Sequence, residues 1–257
     1  MITIISQDNK IYRMCIQLGQ KKYRDRLGLY IAEGEKIVRE ALNAGLVKTV
    51  VMREDFKGEF DREGTAFVFM SGSLFSKIAQ TETSQGILAI VEEPQFDRDS
   101  FLAAISAGES KVLVLDRLQD PGNIGTIIRT ADAAGYAGMI VMKGSGDIFS
   151  PKVIRAAAGS LMRMPVFKAE NEDEALSILS DAKKVIVGTT PEDGVAYDKA
   201  DWSGGIALLI GNEGNGLSET FKTATHRNVK IPMNKEVDSL NAAVAAGILI
   251  YESIKER

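Results

Sequence analysis

Five short apolar runs in the second half of the chain constrain its fold more than any other feature. They are Val112–Leu115, Met139–Met142, Val185–Gly188, Ile206–Ile210 and Val229–Ile231, all rich in Val, Ile or Leu. Runs of this length and content suit strands buried on both faces of a parallel sheet. Helical patterns separate them, at Ile124–Ala134, Lys152–Leu161, Glu172–Ala182 and Ser218–Thr223, and a last helix is expected at Ala242–Lys255. Strands and helices alternating at this spacing specify an α/β fold with an open sheet covered by helices on both faces.

The first part of the chain alternates in the same way but less regularly. Helices are expected at Asp8–Leu18, Glu35–Asn43 and Gly72–Ala79, with Ser71 as a cap for the last and Gly45 just beyond the end of the second. Strands are expected at Leu29–Ala32, Val47–Met52, Ala66–Met70 and Gly86–Val91. The polar stretch at 92–100, with Pro94, marks a domain boundary, followed by a further helix at Ser100–Ala107. We therefore expect one domain over residues 1–95 and another over 108–257.

Composition narrows the chemistry. With 45% hydrophobic and 26% charged residues in 257, the chain can bury a real core. The longest apolar runs are about half of what a bilayer crossing needs. The first residues lack the pattern of a signal peptide, so a cytoplasmic protein is expected. Cys15 and His226 are the sole cysteine and histidine. An intrachain disulfide is impossible, and zinc chemistry or histidine-based hydrolysis is disfavoured. His226 reads as a structural or surface residue. Net charge is −4, yet Lys10, Arg13, Lys21, Lys22, Arg24 and Arg26 stand against Asp25 alone between residues 10 and 26. This cluster is either a solvated helix face or a patch that contacts phosphates.

Ligands of open α/β sheets bind beyond the carboxyl ends of the strands. The segments in that position are DRLQDPGNIGTIIR after Leu115, TTPEDG after Gly188, GNEGNG after Ile210 and PMNKEVDSLN after Ile231. All are rich in residues that tolerate unusual backbone angles and expose hydrogen-bonding groups. GNEGNG has neither the spacing of a dinucleotide fingerprint nor the Lys and Ser/Thr of a P-loop. It reads as a helix-entry turn or as a ligand loop. Pro121 and Asn123 suit a turn and helix start, Ser239 suits a helix cap and Arg129 a surface ion pair. Their functional reading comes from their joint placement on one sheet edge.

At these residues the sequence resembles the SpoU (TrmH) family of the SPOUT methyltransferase superfamily. Three ordered blocks carry the resemblance: LDRLQDPGNIGTIIRTADAAG at 115–135, LLIGNEGNGLS at 208–218 and IPMNKEVDSLNAAVAAGILIYE at 231–252. SPKVIRAAAGSLMRMPV at 150–166 is a weaker fourth. Residues 21–45 together with TSQGILAIVE at 83–92 resemble the L30e-like substrate-binding domain of ribosomal-RNA members.

The resemblance implies an N-terminal L30e-like α/β domain and a C-terminal SPOUT domain with a deep trefoil knot, which sequence rules alone would reject. It implies S-adenosylmethionine as cofactor, bound around Thr189, Leu209, Gly211, Ile231, Met233 and Leu240. It further implies a homodimer with no metal or membrane, acting on a ribose 2′-hydroxyl of RNA. Ribosomal RNA, 23S in particular, is the expected target, with tRNA methylation or an inactive RNA-binding module as alternatives. Arg129, Asn123, Glu213, Ser239 and Asn241 are the implied catalytic set. In it, Asn123 would orient the arginine or the ribose, and Glu213 would fix the arginine or the loops. Because arginine holds its proton above about pH 12, an electrostatic role suits Arg129 better than that of a base. Arg13, Lys21, Lys22, Arg24 and Arg26 are the expected RNA contacts. The chain departs from the family at Lys235, where glycine is frequent, and at Ala242–Ala243, where SLNVS becomes SLNAA.

Overall fold

A computed structural model describes residues 3–60, 64–190, 194–234, 236 and 239–255. The chain forms two compact units. The first comprises residues 1–94 together with 147–162, and the second comprises 95–146 and 163–257. The long segment of the first unit ends at Pro94, inside the polar stretch 92–100, and residues 147–162 return to that unit.

Among the described residues, the first unit carries β1 (Thr3–Ile4), α1 (Lys10–Leu18), α2 (Lys21–Leu27), β2 (Leu29–Glu33), α3 (Glu35–Asn43), β3 (Val47–Arg53), β4 (Ala66–Met70), α4 (Gly72–Ile78) and β5 (Ile87–Glu92). Its sheet has the order β1-β4-β3-β5-β2, with β2 and β3 antiparallel to β5 and the rest parallel. Tyr12, Cys15 and Leu18 on the inner face of α1 join Leu74, Phe75 and Ile78 of α4 over Ile31, Val51, Leu88 and Ile90. Burial pushes the Cys15 thiol up to about 12, so it is inert packing. The short helix α2 is not legible in the sequence because its charged residues, KKYRDRL, carry little apolar periodicity. Gly28, left-handed at φ 61°, ends it. Ser71 stands at the N-terminus of α4 without capping it; the Glu54 carboxylate accepts the Gly72 N–H instead, at 2.9 Å.

The interposed segment explains a second departure. The expected helix at Lys152–Leu161 breaks into α7 (Pro151–Ala157) and a 3-10 turn at Ser160–Met162, because Ala158 (φ 48°) and Gly159 (φ 94°) adopt left-handed angles. The helix α7 packs on β2 within the first unit. Phe149 stacks on the buried Tyr30 ring with centroids 5.0 Å apart. Asp147 pairs with Arg24, whose Nη1 also donates to the Leu18 carbonyl at 2.7 Å. The side chains of this pair are 5% and 14% exposed.

Among the described residues, the second unit carries α5 (Arg98–Ile105), β6 (Val112–Leu115), α6 (Pro121–Ala133), β7 (Gly138–Met142), β8 (Val166–Ala169), α8 (Glu172–Asp181), β9 (Val185–Thr189), β10 (Val195–Ala196), β11 (Ile206–Ile210), α9 (Glu219–Ala224), β12 (Arg227–Lys230) and α10 (Ala242–Ser253). Its sheet is parallel throughout, in the order β10-β12-β9-β11-β6-β7-β8. All residues of β6, β7 and β11 are buried, as their unbroken apolar character requires. Strand β8 leaves no clear sequence signal because VFKA is short and carries a lysine. The late strand β12 lies between β9 and β10, which are neighbours in sequence. His226 works structurally: its backbone N–H donates to the Ile186 carbonyl and its Nδ1 accepts the Ile186 N–H, both at 2.9 Å.

Removing Asp147 strands the buried Arg24 guanidinium without a counter-charge. Asp147→Ala is expected to cost about 3–5 kcal/mol in urea denaturation. The double variant Arg24→Met/Asp147→Leu, which replaces both charges by apolar groups, should recover most of that loss.

Candidate active site

The site lies at the carboxyl ends of β9, β11 and β12. A cavity of about 220 Å³ opens there. Its walls are Thr189 and Thr190 after β9, Ile210 to Glu213 and Gly216 after β11, Ile231 and Met233 after β12, and Ser239, Leu240, Ala242, Ala245 and Leu249 at the start of α10. Three of the four strand-end loops singled out in the sequence therefore share one cavity. The apolar residues Ile210, Val229, Ile231, Met233, Leu240 and Leu249 share its lining with Thr189, Thr190 and Ser239 and with Asn212, Glu213 and Lys230. That combination suits a ligand with a flat apolar part and a polar tail, held without bulky side chains. Among the described residues no cluster of His, Cys, Asp and Glu is arranged to hold a metal.

The fourth loop, 116–120, braces the cavity from behind. Asp116, fully buried, accepts the Ser218 N–H at 2.6 Å and the Arg117 Nε–H at 2.9 Å. Asn212 donates from Nδ2 to the Arg117 carbonyl at 2.9 Å. Glu213 reaches back and accepts the N–H groups of Gln119 and Asp120, both at 3.2 Å. Arg117 sits at φ 58°, a left-handed angle held by these bonds on both sides. Gly211 is obligatory for a local reason: a Cβ there would lie 2.4–2.6 Å from the backbone of Gly216 and Leu217.

Three of the five residues expected to catalyse, Asn123, Glu213 and Asn241, form a hydrogen-bonded chain. Asn241 caps α10 by accepting the Ala243 and Val244 N–H groups at 2.9 and 3.2 Å, so the cap is Asn241 and not Ser239. Its Nδ2 donates to Asn123 Oδ1 at 2.9 Å, and Asn123 Nδ2 donates to Glu213 Oε1 at 3.3 Å. Asn123 does not cap α6. That helix starts earlier than expected, at Pro121, and Asp120 accepts the Asn123 N–H at 2.8 Å. Glu213 therefore fixes the loops and not Arg129. Asn123 makes no hydrogen bond to Arg129 among the described residues, and the two lie about 120° apart around the helix. Arg129 is exposed, makes no hydrogen bond or ion pair among the described residues, and does not line this cavity.

Of the six residues expected to hold cofactor, Thr189, Gly211, Ile231, Met233 and Leu240 line the cavity. Leu209 does not: its side chain is fully buried in the core, and its carbonyl accepts Thr189 Oγ1–H at 3.4 Å. Ala243, where the family often has serine, is also off the cavity wall. Lys235 lies outside the described residues. Asp116, Gln119, Asp120 and Asn212 join the site without having been singled out individually; the turn-forming character of DRLQDP is their sequence signal.

In the first unit the basic cluster divides. Arg24 is buried against Asp147 and leaves the surface set. Arg13 pairs with Asp8, and Lys21 with Asp25 at 2.9 Å. The ammonium of Lys22 and the guanidinium of Arg26 lie 5.6 and 4.9 Å from the centre of the Tyr23 ring.

Residues 110–251 match the SpoU rRNA Methylase family, and residues 9–89 match the MRM3-like substrate binding domain. The chain belongs to the SpoU family. This member is 35% identical over 253 residues to the 23S rRNA (guanosine(2553)-2′-O)-methyltransferase RlmP of Bacillus subtilis, covering 98% of each chain. It is 30% identical over 268 residues to the 23S rRNA (uridine(2479)-2′-O)-methyltransferase of Streptomyces viridochromogenes, covering 99% of this chain and 92% of that one. The AdoMet-bound rRNA methyltransferase from Sinorhizobium meliloti superposes with a TM-score of 0.87 at 31% identity, covering 98% and 97% of the two chains. The SpoU methyltransferase AviRb from Streptomyces viridochromogenes, in complex with AdoMet, gives 0.84 at 30% identity over 96% and 98%.

Glu213 gives this SpoU site an acid-sensitive clasp. Burial raises its carboxyl, but hydrogen bonds from the N–H groups of Glu213, Asp120 and Gln119 and from the Asn123 amide outweigh it, and the carboxyl is held below its ordinary 4.5. The stabilisation is fully present above pH 4.5 and is lost as pH falls through the lowered value. Side-chain amide resonances of Asn123 should keep their positions at pH 5 and move in more acid solution, and Glu213→Gln should abolish that transition. A transition unchanged in Glu213→Gln would contradict the assignment.

Proposed function

We propose that this SpoU protein transfers a methyl group from S-adenosylmethionine to a ribose 2′-hydroxyl of ribosomal RNA, in 23S rRNA and in the cytoplasm. The observation that carries this reading is the largely apolar cavity at the strand ends, in a chain that aligns end to end with 2′-O-methyltransferases. When bound, S-adenosylmethionine supplies an electrophilic methyl on a positively charged sulfur. Thr189, Gly211, Ile231, Met233 and Leu240 would hold it, with Leu209 contributing through its backbone.

Transfer from a sulfonium cancels charge, so the apolar walls of Ile210, Ile231, Leu240 and Leu249 favour it by offering little polar stabilisation to the reactant. Alignment of the hydroxyl with the methyl can supply several kcal/mol, up to roughly 7–11 in favourable cases. Asn123, Glu213 and Asn241 act as positioning residues that lock the two loops and α10 together. Ser239, exposed at the rim, is placed to meet the ligand. Arg129, exposed and unpaired among the described residues, is suited to hold a substrate phosphate and stabilise the forming alkoxide.

Arg129 has no place in its own cavity, and a second copy of the chain would give it one. Support comes from α10, whose Val244 and Tyr251 are each 53% exposed and share an apolar stripe with Ile248. A homodimer through this stripe would cover it. A deep knot is supported by the position of β12 between β9 and β10, and by the closeness of Gly194, where a Cβ would lie 2.6 Å from the Val229 backbone.

The purified protein, given S-adenosylmethionine and unmodified 23S rRNA, should produce a 2′-O-methyl mark that reverse-transcription mapping locates; no mark on any RNA would overturn the reading. In single-turnover assays Arg129→Ala should lower the rate by at least about a hundredfold. Its cofactor affinity by calorimetry and its melting temperature should match the parent. Light scattering at micromolar concentration should give twice the chain mass, and Val244→Asp/Tyr251→Asp should shift it to the mass of one chain.

A further inference from the structure

On the surface formed by α1 and α2, Lys10, Arg13, Lys21, Lys22 and Arg26 are all exposed. Arg13 and Lys21 are engaged by Asp8 and Asp25. Lys10, Lys22 and Arg26 have no carboxylate partner among the described residues. Two of these three, Lys22 and Arg26, lean on the half-buried ring of Tyr23. Ile16 and Leu27, 42% and 39% exposed, add apolar surface on the same two helices. An acidic protein partner would need only the charges. A ring overlaid by the Arg26 guanidinium, with the unpaired Lys22 ammonium also against it and Lys10 exposed on the neighbouring helix, is matched to a ligand that has both flat faces and phosphates.

We propose that Tyr23 and Arg26 form a stacking platform for an unpaired base of the RNA substrate, with Lys10 and Lys22 binding the flanking phosphates. The proposal rests on the reading of the chain as an RNA methyltransferase and deepens it: the first unit selects a single-stranded or looped segment, not a regular duplex. Bases in an A-form helix are stacked on one another and their faces are unavailable, whereas a loop presents a free face to an aromatic ring. Stacking is insensitive to salt, while phosphate contacts release counterions and are not.

The test uses the full chain, a fluorescent ten-nucleotide single-stranded RNA and a duplex of equal length, with affinity measured by anisotropy across a salt series. Tyr23→Leu should weaken binding to the single strand about tenfold or more, leave the salt slope unchanged and keep the parental melting temperature. Tyr23→Phe, which keeps the ring, should bind like the parent. Lys10→Ala/Lys22→Ala should lower the salt slope by about 1.4, at roughly 0.7 for each phosphate left without its cation. Equal weakening of single strand and duplex by Tyr23→Leu, or unchanged affinity in that variant, would overturn the platform. So would an acidic peptide that binds as tightly as RNA and competes with it. Methylation of 23S rRNA, measured in parallel, separates the two readings. Normal marking by a Tyr23→Leu protein with unchanged RNA affinity sinks the platform alone, while a parent protein that marks no RNA sinks the functional reading itself.

Discussion

The site depends on a reciprocal clasp between two loops at one edge of a parallel sheet. Each loop carries one carboxylate that satisfies backbone N–H groups of the other. Asp116, at the end of β6, accepts from Ser218, beyond the loop after β11. Glu213, within that loop, accepts from Gln119 and Asp120 at the start of α6. Asp116 is buried, and its bond to the half-buried Ser218 N–H spares a desolvation cost of about 1–3 kcal/mol. Gln119 and Asp120 are exposed, so the Glu213 bonds to them set loop geometry more than they save desolvation. Charge-assisted bonds are stronger than neutral ones, so carboxylates suit the task better than amides would. The same bonds hold Arg117 in its left-handed conformation and fix the entry of α6.

The clasp also decides which residues remain for chemistry. Asn241 commits its oxygen to the first turn of α10 and its amide N–H to Asn123. Asn123 commits its own amide N–H to Glu213. These side chains cannot both brace three elements and move to follow a reacting group. What they supply is a cavity wall of fixed shape, since the start of α10 carries Ala242, Ala245 and Leu249 into the lining. A site whose supporting shell is fully bonded keeps its geometry without rearrangement as charge develops.

Much of this is readable in the residues. The apolar runs at Val112–Leu115 and Ile206–Ile210 suit buried strands, and the rule that ligands sit beyond strand ends leads to the cavity-lining loops. The roles of Asn123 and Glu213 are not readable, because these two residues lie 90 apart in sequence and meet only through strand order. Leu209 is offset by a face: its side chain belongs to the core while its carbonyl meets Thr189. Arg24 counts with its neighbours in the sequence because composition alone cannot separate it from Lys22 or Arg26. Its burial requires Asp147, more than a hundred residues away. Helix α2 and strand β8 escape detection because short elements with charged residues carry almost no periodic signal.

The surviving candidates limit the mechanism. A ribose hydroxyl must lose a proton when it attacks, yet the groups within the clasp are poor acceptors for it. Asn123 and Asn241 are amides with no basic lone pair to offer. The Glu213 carboxylate, already accepting from three donors, is weakened as a base by the same bonds that depress its pKa. His226 is tied to β9 through Ile186. Arginine side chains, Arg129 included, carry hydrogen-bond donors and no acceptor. With no strong base at hand among the described residues, early proton transfer would face a steep barrier. The hydroxyl would be better served by attacking while still largely protonated, losing its proton late to bulk water as the methyl–oxygen bond forms and the methyl–sulfur bond of the donor breaks. On such a path the effective contributions are alignment and a nearby positive charge that stabilises the oxygen as it changes. The cavity can provide the first, and Arg129 would provide the second only if a second copy of the chain brought it there.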